Sequence, residues 1–210
     1  MRNRYWPTIA LAASVSLLSA CTSTAPGTAA RTSPERADIA IAPVDASAVM
    51  RAADAIAAGQ AAAHAADAGA LRIAAQMLEN LGARPAGDQQ ENLSRSWNQR
   101  ASLIDPSVAP PVYRGRALGP SYKKGMVSAT SRVSIEQIFL AGKKASVALV
   151  PGSPKPLTIE ISDGQGKRVC SRHTSSRPAN CEWLPLFTER YQINIRTSES
   201  RPVSYYLVSN

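Results

Sequence analysis

Apolar residues recur every three or four positions after Asp45 and every second position beyond about residue 130, so the chain predicts helices first and strands afterwards. Val49, Ala52, Ala53, Ile56 and Ala57 form one apolar stripe, and Leu71, Ala74, Ala75, Leu78 and Leu81 form another after Gly59 and Gly69. Two or three helices are expected between about residues 46 and 82. Asp67 suits the cap before the second stripe, and Gly82 and Pro85 suit its end. A third helix is expected within 88–104, "DQQENLSRSWNQRASLI", where Leu93, Trp97 and Ile104 stand on a polar background.

"DPSVAPPVYRGRALGP" (105–120), with four prolines and two glycines, reads as a connector. Beyond it come Val133 and Ile135; Ala145, Val147 and Leu149; Leu157, Ile159 and Ile161; Tyr191, Ile193 and Ile195; then Val203, Tyr205 and Leu207. This alternation predicts half-buried strands with one apolar face and one wet face, and "DGQG" (163–166) supplies a hairpin turn. The fold class expected is α+β in separate segments: an N-terminal helical hairpin or small bundle, then an antiparallel, jelly-roll-like β-sandwich. One helical hairpin cannot bury its own face, so the helices are expected to pack on the next domain or on a partner.

The N-terminus changes the picture from fold to address. Arg2 and Arg4 precede the apolar run "TIALAASVSLL", which is too short to span a bilayer, and small residues follow. Leu18-Ser19-Ala20-Cys21 resembles the lipobox of bacterial lipoproteins. The resemblance implies a signal peptide over 1–20 and a mature chain beginning at Cys21, which carries a diacylglyceryl thioether and an acylated amine. Several buried acyl chains make an anchor that hardly dissociates. Thr22, where inner-membrane lipoproteins tend to carry Asp, points to the periplasmic face of the outer membrane. The Ser-, Thr-, Ala- and Pro-rich stretch 21–44 then reads as a flexible tether with a mean reach of about 25 Å, followed by a helical segment over 45–104, a connector over 105–118 and a sandwich over 119–210.

Three cysteines in an exported chain leave one over, and Cys21 accounts for it. Cys170 and Cys181 are expected to pair in an oxidising compartment, closing a short loop within the sandwich. Two other readings of "VCSRHTSSRPANCEW" compete. A metal site at Cys170, His173 and Cys181 has only three ligands where structural zinc wants four. A nucleophile with His173 as base finds no orienting carboxylate between the cysteines. His64, the second histidine, sits in "AAAHAAD" and reads as a helix-surface residue. No metal, cofactor or catalytic residue is assigned.

The succession "AGKKASVALV", "LTIEISDGQGKRVC", a cysteine before "EWLPL", and "RYQINIRTSESRPVSYYLVSN" resembles the bacterial pre-peptidase C-terminal domain, a small β-sandwich appended to secreted enzymes. The resemblance implies a non-catalytic module. Members that bind calcium use aspartates around the strand written here "KPLTIEISD". Pro156, Leu157 and Thr158 stand where acidic residues are wanted, so no calcium site is carried over. Trp183 is expected to pack on the disulfide and Trp97 to be the more exposed aromatic.

Charge supplies the remaining candidate. The net charge is +9, and between Pro106 and Ile135 five basic residues (Arg114, Arg116, Lys123, Lys124 and Arg132) occur without an acidic one. They are the expected contact for an anionic ligand such as lipopolysaccharide or another acidic glycan; the compartment argues against nucleic acid. The function expected is a non-catalytic envelope interaction or structural module, held by its lipid anchor and partnered by an envelope protein or an anionic glycan. An accessory subunit of an envelope enzyme is the other alternative.

Overall fold

The computed structural model describes residues 47–107, 118–174 and 177–210. Three helices come first: α1 (Ala48–Ala65), α2 (Ala68–Leu81) and α3 (Leu93–Ile104), with the two-residue strand β1 (Arg84–Pro85) between the last two. Eight strands follow: β2 (Ser121–Val127), β3 (Arg132–Phe139), β4 (Ala145–Pro151), β5 (Thr158–Ser162), β6 (Arg168–His173), β7 (Ala179–Trp183), β8 (Glu189–Arg196) and β9 (Val203–Ser209). The expected class is the one observed: helices in the N-terminal part, then a sandwich of two sheets. The first sheet has the order β1-β2-β9-β4-β7 and the second β3-β8-β5-β6, antiparallel throughout except where β1 pairs with β2.

Local signals set the helix boundaries; the cap and stop expected for α2 are observed, whereas α3 begins at Leu93, later than the expected 88. The Asp67 carboxylate accepts from the Ala70 N–H (2.9 Å), and Gly82 closes α2 in the left-handed region at φ 65°, where a Cβ would be strained. Ser47 and Asn92 cap α1 and α3 in the same way. Arg72, buried on α2, donates to the Asp105 carbonyl at the C-terminus of α3 (3.0 Å). Pro85, expected only as a stop signal, also pairs with Tyr122 in the first sheet.

Two cores result. Val147, Leu149, Ile159, Ile161, Ile193, Ile195, Tyr205 and Leu207 fill the space between the sheets, as their alternation predicts. The second core lies on the other side of the first sheet, where Ala148, Val150, Tyr206 and Val208 meet the apolar stripes of the helices. This corrects the expectation of strands with one wet face. In β4 every residue from Ala145 to Val150 is buried, because the sheet is covered by helices on one side and by the other sheet on the opposite one. Ala52, Ala53 and Ala55, fully buried on α1, keep the helix surface low enough for close approach. The helices therefore pack on the sandwich of their own chain.

Trp97 is the second correction. It is 6% exposed, and its ring covers Gly59 so closely that a Cβ on Gly59 would lie 2.3 Å from it. Gly59 does not interrupt the first helix; it sits in the middle of α1 and makes room for the indole. Trp183 packs against the same core as Cys170 and Cys181 and belongs to an aromatic cluster there, edge-on to Phe139 (4.8 Å between centroids) and tilted against Tyr191 (5.2 Å).

Where α1 begins, a polar network joins it to the first sheet. The Ser47 and Ser146 hydroxyls are 3.3 Å apart, the Ser146 hydroxyl donates to Glu182 (3.4 Å), and Lys144 lies 2.6 Å from Glu182. The Lys144 ammonium holds the Glu182 carboxyl below the usual carboxylate range. The stability this supplies is present at neutral pH and is lost as pH falls through that lowered value. Glu182→Gln is expected to cost less than about 1 kcal/mol, a Tm decrease of about 2–4 °C at most at neutral pH. The difference should vanish in acid, as melting curves of both proteins against pH will show.

Candidate interaction surfaces

Cys170 and Cys181 form a disulfide, with Cα atoms 6.0 Å apart. Cys170 lies on β6, an edge of the second sheet, and Cys181 on β7, an edge of the first, so the bond ties the two sheets together. His173 is three residues along β6 from Cys170 and therefore projects from the opposite face. Its Nδ1 lies 2.9 Å from the Thr158 hydroxyl on the adjacent strand. The histidine and the cysteines of "VCSRHTSSRPANCEW" thus serve different surfaces.

The basic cluster of the sequence does not converge. Arg114 and Arg116, like Cys21, lie outside the described residues. Lys123 and Lys124 are neighbours on β2 and project from opposite faces, with the Lys124 ammonium 5.9 Å from the centre of the Tyr206 ring. Arg132 is on β3, in the other sheet.

Strand register gives Arg132 different company. Its Cα partner on β8 is Arg196, whose partner on β5 is Thr158, whose partner on β6 is His173. With Val133, Ile195 and Ile159 directed into the sandwich, this row of side chains lies on the outer face of the second sheet. Among the described residues neither Arg132 nor Arg196 has a carboxylate within 4.0 Å. The rest of that face is balanced: Arg190 pairs with Glu136 (3.0 Å) and Arg168 lies 3.8 Å from Glu160. Like charges directly opposite on adjacent strands repel, and an anion between them relieves the repulsion. Arg196 was invisible as a candidate because only the β3–β8 register places it there.

At the other end of the sandwich the surface is apolar. Leu140, Leu184, Leu186 and Phe187 are 57–80% exposed on two loops, 140–144 and 184–188. The loops are joined: the Gly142 N–H donates to the Pro185 carbonyl (2.9 Å) and the Ala141 N–H to the Thr188 hydroxyl (3.0 Å). The Phe139–Trp183–Tyr191 cluster lies directly behind them in sequence and supports both. A cleft of about 730 Å³, open to solvent, lies between the turn after β1 and α3. It mixes Arg84 and Arg95 with Asp88 and Glu91 and so shows no preference of charge.

No protein-family model matches the chain, and none of the curated proteins matches its sequence. Among solved structures it is similar to the mitogen derived from Yersinia pseudotuberculosis, at 13% identity over 44% of this chain and 85% of that one, with a TM-score of 0.37. It is also similar to PliG of Aeromonas hydrophila, a periplasmic inhibitor of g-type lysozyme, at 15% identity over 48% and 92% of the two chains and a TM-score of 0.35. A third is the CBM36-1 domain of a multidomain xylanase from the hindgut metagenome of Trinervitermes trinervoides, at 16% identity over 40% and 75%, with a TM-score of 0.28. At these identities and scores the likenesses say nothing about what this chain binds.

Proposed function

We propose that this protein is a non-catalytic envelope lipoprotein, anchored through Cys21 to the periplasmic face of the outer membrane, whose sandwich, resembling the pre-peptidase C-terminal domain, binds an anionic glycan. The observation that carries the reading is the Arg132–Arg196 cross-strand pair, exposed and, among the described residues, without a carboxylate partner, with His173 in the same row. Guanidinium groups on adjacent strands offer planar, multiple donors that suit phosphate and carboxylate groups on sugars. The two guanidinium groups share one face of their sheet, whereas Lys123 and Lys124 project from opposite faces of β2, which favours this row over the lysines as the first contact. The lipobox supports the anchor, and the anchor supplies an environment rich in phosphorylated and acidic sugars.

Binding of the full chain to purified lipopolysaccharide is expected to weaken as salt rises, because exposed charges are screened beyond about 8–10 Å at physiological ionic strength. Arg132→Gln with Arg196→Gln is expected to lower affinity about tenfold or more at low salt, the equivalent of about 1.4 kcal/mol. Lys123→Gln alone should change it little. Equal retention of the wild type and the double variant, measured by interferometry on immobilised lipopolysaccharide, would remove the arginine row from the reading.

A further inference from the structure

We propose that the apolar end of the sandwich, Leu140, Leu184, Leu186 and Phe187, inserts into the interface of an anionic lipid bilayer. The inference goes beyond the glycan-binding reading and rests on it only for the presence of a membrane anchor. These side chains are exposed on loops, and a fluid bilayer can close around such residues without a preformed pocket. Lys143 lies in the first of the two loops, exposed beside the apolar tip, where phospholipid phosphates would meet it; Lys144 next to it is already paired with Glu182.

Chain direction adds an independent argument. The described chain begins at Ser47, whose hydroxyl is 3.3 Å from that of Ser146, two residues beyond Lys144. The described chain therefore begins at the apolar end. A lipid at Cys21 holds this end near the bilayer, and the resulting high effective concentration lets a small apolar tip contribute. The Arg132–Arg196 row lies at the other end of β3 and β8 and would then face away from the membrane, open to ligand.

The test uses the full chain with Cys21→Ser and an N-terminal hexahistidine tag, recruited to vesicles through a nickel-chelating lipid. The recruitment is independent of lipidation, so a failure of the loop and a failure of the anchor remain distinguishable. An environment-sensitive dye is placed at Leu186→Cys or, as a control on the outer face of β3, at Ser134→Cys. A several-fold, blue-shifted rise in emission is expected at position 186 on phosphatidylcholine vesicles containing phosphatidylglycerol, a smaller rise without phosphatidylglycerol, and none at position 134. Leu184→Asp with Phe187→Asp should abolish it while circular dichroism remains unchanged. No rise at position 186 on recruited protein, or an equal rise at both positions, overturns the proposal. A rise without vesicles that scales with protein concentration overturns it in favour of self-association.

Discussion

Trp97→Ala is expected to destabilise the protein by about 3–5 kcal/mol, the usual cost of deleting a buried indole. Trp97 ties α3 to α1 through Gly59, and both belong to the core between the helices and the first sheet. Gly59→Ala in the otherwise unchanged chain should also be destabilising, because its Cβ would meet the indole at 2.3 Å. In the Trp97→Ala background the sign should reverse. There the added methyl enters vacated space, and alanine is a better helix former than glycine by about 1 kcal/mol. Urea unfolding of the four proteins measures this coupling. If Gly59→Ala has the same effect in both backgrounds, the two residues do not share a contact.

Removing the disulfide as Cys170→Ser with Cys181→Ser is expected to cost about 2–5 kcal/mol, and the chain-entropy model puts a loop of this length near 3 kcal/mol. The effect should be local in its dynamics. The bond joins the edge strands β6 and β7, whereas the helical layer rests on the central strands β4 and β9. Amide hydrogen exchange is expected to accelerate most in β6 and β7 and least in α2. An unchanged urea midpoint after reduction of the wild type would show that the two edges hold without the bond.

The core between the sheets was legible residue by residue. Val147, Leu149, Ile159, Ile161, Ile193 and Ile195 all point inward as alternation requires, and Asp163 and Gly166 close the expected turn at "DGQG". β2 was not legible. Tyr122, Lys124 and Met126 line one side of it, and Gly125 leaves the other side thin where Tyr205 packs closely. Trp97 was misjudged for a related reason: a lone aromatic among polar residues looks exposed unless the glycine that receives it, almost forty positions earlier, is known to face it. The apolar end had a signal available, because "EWLPLF" is an apolar run interrupted by proline and fits neither a helical nor a strand period.

The sequence by itself determined that helices precede strands, the inward faces of most strands, the cap at Asp67, the turn and the pairing of the two late cysteines. Each of these depends on neighbours a few residues apart, or on a count that leaves one arrangement open. Only the tertiary structure decided that the helices cover the first sheet, burying the second face of β4, and that Arg132 meets Arg196. It also decided that the start of the folded chain and the apolar loops share one end. These depend on register and layer order, where contacts join residues tens of positions apart and local pattern carries no record of which surfaces will meet.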